Sequence, residues 1–216
     1  MLFRQKAPRT RSELVAEADR ARAKGRVKKA IAAYRRALEL EPKDPVVHGK
    51  LAPLLARARQ PEAALQSFHT AAQAHLDRGF ADKAIAVYTQ AADTFPHQIS
   101  LWQQLAQLNL TKGYRADAVR ALLRGRFHFR RRNERRDAIT LLQEALAFEP
   151  TLFEPKLDLA LLLAREGQRS EALALLEPLA HGPGGPQLAR VHWTLLRISP
   201  GVGAAWRWVR STLARR

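Results

Sequence analysis

The chain has 216 residues, no cysteine, and 37 lysines and arginines against 20 acidic residues, for a formal net charge of +17. The missing cysteine rules out a disulfide framework and thiolate metal sites, and it suits a reducing compartment. An apolar fraction of 46% can fill a continuous core, while the basic excess favours acidic partners: nucleic acid, anionic lipid or an acidic protein.

Residues 1–10, MLFRQKAPRT, read as a basic tail. They lack the apolar run of about 7–15 residues that a signal peptide needs. No stretch approaches the roughly 18 apolar residues of a membrane span, and the expected location is the cytoplasm. Thr10-x-x-Glu13 is a capping box and predicts a first helix over 11–24, stopped by Gly25. A second helix is predicted over 27–40. Asp44-Pro45 supplies an N-cap and a first-turn proline for a third helix over 45–58, with Leu51, Ala52 and Leu55 inward. Pro61 opens a fourth helix that runs without Gly or Pro almost to Gly79.

The second helix carries a pattern that returns twice. Lys29-Ala30-Ile31-x-x-Tyr34-x-x-Ala37-x-x-x-x-Pro42 recurs from Lys83 with Ala84, Tyr88, Ala91 and Pro96, and from Asp137 with Ala138, Leu142, Ala145 and Pro150, each copy 54 residues on. These spacings place alanine and a large apolar residue on one helical face. Small residues let a neighbouring helix approach, and the large one fills the gap beside it. An offset copy lies between: Ala64 and Phe68, Ala118 and Leu122, Ala172 and Leu176. The large residues are then spaced alternately by 34 and 20. A step of 34 is the period of a helix-turn-helix repeat, and a step of 20 is too short for a helix pair. The fourth helix therefore closes one pair and opens the next, so that each 54-residue unit (25–78, 79–132, 133–186) holds three helices. Gly25, Gly79 and Asn133 fall at equivalent junctions, where Gly or Asn suits a left-handed backbone.

On these residues the sequence resembles the tetratricopeptide repeat family over about 11–180. Trp102-x-x-Leu105-Ala106, Gly113, Ala118 and Leu122 follow the order of that family's motif, and Ala30, Tyr34, Ala37 and Pro42 follow its second half. Leu122 and Leu142 stand where the family usually has an aromatic. The resemblance implies an all-α, tetratricopeptide-like α-solenoid, a right-handed superhelix of about eleven or twelve antiparallel helices. It also implies a concave groove that receives a peptide or partner helix, for which Lys50, Arg57, Gln103, Gln107 and Arg165 are the candidate lining. The family's carboxylate-clamp lysines and asparagines are not visible, so a chaperone-tail ligand is unsupported.

The third unit decays after Pro178 into HGPGGP, residues 181–186, which is expected to end the array at about 183. Residues 187–216 are assigned to a helical cap. Trp193 and Leu196 echo the repeat, and a last helix over 202–214 carries Trp206, Trp208, Val209 and Leu213. Phosphate-loop, dinucleotide, zinc-protease and nucleophile-elbow motifs are all absent, and the seven histidines are scattered. The expectation is a non-catalytic adaptor or scaffold with no cofactor and no metal, binding a protein or peptide of acidic character. The rival reading is nucleic-acid or anionic-surface binding through Arg120, Arg124, Arg131, Arg132 and Arg135, since guanidinium forks bind phosphate bidentately. Arg120, Arg124, His128 and Arg131 would share one face of a continuous helix. Solvated basic helix faces are commoner than such sites.

Overall fold

The computed structural model describes residues 9–181 and 185–213. The expected basic tail lies almost wholly outside them. Among the described residues the fold is all-α, with twelve α-helices, one 3₁₀ turn and no strand. The chain divides into two compact units, residues 1–108 and 109–216.

The first unit contains α1 (Arg11–Ala23), α2 (Val27–Leu40), α3 (Pro45–Arg57), α4 (Pro61–Leu76) and α5 (Ala81–Thr94), with α6 (Ile99–Thr111) crossing the boundary. Thr10 caps α1: its hydroxyl accepts from the Glu13 amide, and the Glu13 carboxylate accepts from the Thr10 amide. Asp44 Oδ1 accepts from the amides of Val46 and Val47 at 2.9 and 3.1 Å, and Pro45 fills the first turn of α3. α4 is one uninterrupted helix that packs on both α3 and α5, as the 20-residue step requires. The core alternates small and large residues. Ala30, Tyr34, Ala64, Phe68, Ala71, Ala84 and Ala91 are fully buried, and Phe68 meets Phe95 edge to face at 6.5 Å.

The second unit contains α7 (Arg115–Arg126), a 3₁₀ turn at Arg132–Glu134, α8 (Arg135–Phe148), α9 (Phe153–Arg165), α10 (Arg169–Ala180), α11 (Pro186–Ile198) and α12 (Val202–Leu213). Each helix packs on the next, and α9 also reaches α11. Ala118, Leu122, Ala138, Leu142, Ala145, Ala172 and Leu176 occupy the same buried slots as their counterparts in the first unit. The frame of three helices per 54 residues therefore persists through α2–α4, α5–α7 and α8–α10.

The helix ends repeat as well. Residues 25, 59, 79, 113 and 167 all have positive φ. At each, the following amide donates five residues back and the residue's own amide three back, from Arg26 to Ala21 through Gln168 to Leu163. This is the Schellman termination. Gly113, at φ 80°, adopts the conformation without a steric penalty. Arg59 adopts it at φ 58°, a position that its side chain gave no reason to expect.

Two expectations are corrected. Asn133 sits in the 3₁₀ turn and not in a left-handed junction; there the Arg131 amide donates to the Glu134 carboxylate at 3.1 Å, which organises the connection locally. Pro178 lies inside α10, which continues to Ala180. α7 ends at Arg126, so Arg120 and Arg124 share no continuous helix with His128 and Arg131. The chain turns there to bury Phe129, 5% exposed, while Phe127 stays exposed.

Candidate interaction site

Lys50 lies on α3 beside α1 and α2, and it is engaged. Its ammonium donates to Asp19 Oδ2 at 2.8 Å, and the Tyr34 hydroxyl donates to Asp19 Oδ1 at 2.5 Å. Burial pushes the Asp19 carboxyl up, but the hydrogen bonds from Lys50 and Tyr34, with the charges of Lys50 and Arg22, outweigh it and hold the group below the usual carboxylate range. Burial, then the contact with Asp19, drives the Tyr34 phenol well above its ordinary value. One carboxylate thus ties three helices through a lysine and a tyrosine, a constellation that sequence spacing does not reveal.

Around it the first unit is laced with ion pairs. Glu17 meets Arg9 and Lys29, Arg11 meets Glu41 and Asp44, and Arg78 meets Glu41. Arg57 is exposed in the last turn of α3. On α6, Gln107 is exposed and Gln103 half-buried, beside the fully buried Trp102. The Trp102 indole donates to the Pro96 carbonyl at 3.0 Å, and His48, 54 residues earlier, makes the equivalent contact with the Pro42 carbonyl at 2.9 Å.

In the second unit Arg165 joins the arginines of the rival reading. A cleft of about 570 Å³ is lined by Arg132, Asn133, Arg135, Arg136, Arg165 and Glu166. Arg135 is committed inside it, donating to the Arg165 carbonyl at 2.8 Å and to Glu166 at 2.6 Å. Arg120 pairs with Asp117 at 2.5 Å, and Arg126 with Asp158 at 2.7 Å. Arg124, Arg131 and Arg132 are exposed, the first in the last turn of α7 and the others along the connection to α8. Two further arginines act as Arg135 does. Arg115 donates to the Phe148 carbonyl at 2.6 Å and Arg169 to the Ile198 carbonyl at 2.8 Å, each satisfying the end of another helix. Arginines read from the sequence only as positive charge therefore include structural donors.

Among the described residues, no helix is long and apolar enough to cross a membrane. Residues 18–57 match a model described as TPR repeat, and residues 65–108 match one described as Tetratricopeptide repeat. Both segments lie in the first unit. No curated protein sequence matches the chain. Among solved structures, a tetratricopeptide repeat protein from Parabacteroides merdae is 15% identical, covering 93% of this chain and 90% of that one, at a TM-score of 0.32. PilF of Pseudomonas aeruginosa is 16% identical over 94% and 89%, at 0.29. The human IFIT1 dimer with PPP-AAAA is 20% identical over 86% of this chain and 45% of that one, at 0.36. At these scores the likenesses carry no argument about ligands. The chain thus carries tetratricopeptide repeats, matched directly at 18–57 and 65–108 and set in a frame of consecutively paired helices.

Proposed function

We propose that the chain is a non-catalytic cytoplasmic adaptor whose first unit binds a peptide segment of another protein. The observation that carries this reading is the pair of tetratricopeptide repeats at 18–57 and 65–108, since such repeats generally mediate protein–protein interaction. Its binding surface is the groove side of α3 and α6, where Arg57 and Gln107 are exposed and Lys50 and Gln103 stand beside them in the sequence of helical turns. Asp19, itself fixed by the Tyr34 hydroxyl, holds Lys50 in place, which lowers the ordering cost of a contact made through it. The repeat array is assigned to α1–α10 and its terminal cap to α11 and α12; the expected end of the array at 183 lies outside the described residues. The nucleic-acid reading is the weaker one: Arg135 is largely buried and committed to Glu166 and the Arg165 carbonyl, which leaves the basic patch without one of its five arginines.

Photo-cross-linking residues placed singly at Arg57, Gln107, Arg36 and Lys83 in the native cell test this. Capture of one shared protein from the first two positions, and not from α2 or α5, is the expected result. Equal capture from all four positions, or none, would overturn it. So would cross-linking to nucleic acid with binding that falls steeply with salt.

A further inference from the structure

The second unit holds a groove of about 860 Å³ between α10, α11 and α12. Leu173 and Ala174 of α10 and Leu188 and Leu195 of α11 give it an apolar lining, and α12 contributes Arg207 and Arg210 along its edge. The leucines are only partly buried, and both arginines are exposed. Three features define what would fill the groove. Its leucines lie between helices, each partly buried, so they form a trough that side chains of a partner can enter. Arg207 and Arg210 make no ion pair among the described residues, and the single carboxylate of the lining, Glu177, stands on α10 and makes none either. After Glu177 the sequence contains no aspartate or glutamate, so the groove's edge has no acidic residue of its own nearby in the chain.

We propose that this groove binds an amphipathic helical segment of a partner protein, seating apolar side chains on Leu173, Leu188 and Leu195 and a carboxylate on Arg207 and Arg210. An amphipathic helix laid in an apolar groove is a recurring recognition mode, anchored by residues spaced along one helical face. Guanidinium groups grip a carboxylate bidentately, and beside an apolar surface the pair is partly shielded from water. A second copy of this chain is disfavoured as occupant, because two bodies of charge +17 repel. The surface involves none of the first-unit residues of the adaptor reading, so each can fail alone.

The probe is a fluorescent helical peptide about four turns long with a leucine face and a glutamate face, titrated against the full chain by anisotropy. Ala174→Trp fills the groove without changing charge, and Arg207→Gln with Arg210→Gln removes the cations. Lys28→Gln with Arg36→Gln removes the same charge from the first unit. Saturable binding is expected, weakened at least about tenfold by either groove change and little by the first-unit pair. Equal loss from the two charge pairs would reduce the binding to nonspecific attraction and overturn the proposal. Binding insensitive to Ala174→Trp would also overturn it. Two further results would do the same by naming another occupant: binding to phosphatidylglycerol vesicles, or to laurate, in the absence of peptide binding. Circular dichroism of each variant establishes that a lost signal is not lost folding.

Discussion

The two units share one 54-residue frame and one Schellman termination, but they cover further backbone carbonyls with different side chains. In the first, ring N–H groups cover carbonyls in the connections just beyond α2 and α5: His48 on Pro42 and Trp102 on Pro96. The third copy has Lys156 in that slot. In the second unit guanidinium groups do the covering, from Arg115, Arg135 and Arg169, each the first residue of its helix. The first-unit counterparts of Arg115 and Arg135 are Pro61 and Ala81, which cannot reach. Orphan carbonyls at a helix end need a partner whatever the sequence offers. The difference teaches that one packing frame tolerates either solution, and that part of the chain's basic character is structural.

Core truncation tests the shared frame most severely. Phe68→Ala should cost about 3–5 kcal/mol and Leu122→Ala about 2–5 kcal/mol, read from urea denaturation midpoints. A loss below about 1 kcal/mol at either site would show that the two copies are not energetically equivalent. Overpacking comes next. Ala84→Leu and its counterpart Ala138→Leu should each cost about 1–3 kcal/mol, because both alanines are buried where a neighbouring helix sits. An unchanged midpoint in one of them would confine close helix contact to the other unit.

The junctions sharpen the comparison further. Gly113→Ala should cost about 1–2 kcal/mol from backbone strain alone, since an added Cβ there meets no other atom. Arg59→Gly should raise the melting temperature by relieving the same strain in the first unit, though the freer unfolded chain offsets part of the gain. Arg169→Met keeps the stem and removes the donor, with an expected loss of about 0.5–1.5 kcal/mol. The acceptor is a neutral carbonyl, so the loss should persist at high salt, whereas a loss that salt erases would point to long-range charge.

The smallest effect is on the pH profile. Burial, followed by nearby cations, pushes His75 in the first unit and His192 in the second below the ordinary imidazole value. The folded chain resists protonating them while the unfolded chain takes up protons near pH 6.5. The stability that neutral histidine contributes is therefore complete above that pH and is lost as pH falls through the lowered folded values. Melting curves of His75→Gln and His192→Gln between pH 7 and 5 should slope less than the parent's. An unchanged slope in one would leave the other as the acid-sensitive unit.

Much of the fold was legible because local rules and packing rules agreed. Thr10 and Asp44 capped the helices they were expected to cap, and the alternating 34 and 20 steps announced that α4 serves two pairs. Legibility failed where several local choices were equally good. An asparagine at 133 suits either a left-handed junction or a 3₁₀ turn, and nothing local to Arg126 and Phe127 announced that α7 would end there. Trp206, carried by the helix assigned to the terminal cap, is 67% exposed because α12 buries Ala204 and Ser211 and half-buries Trp208; a short helix so rich in tryptophan allows more than one inward stripe.

The sequence by itself determined most of the helices and the buried face that carries the repeated alanines, because a periodicity of 3.6 and the caps are properties of neighbours along the chain. Tertiary structure alone decided which distant partners the charges found. Asp19 lies 31 residues from Lys50, Arg135 lies 30 from the carbonyl it caps, and Arg169 lies 29 from its own. A long, flexible cationic side chain carries no periodic signal of its acceptor. Its partner exists only once packing has brought a carboxylate or an orphan carbonyl within reach.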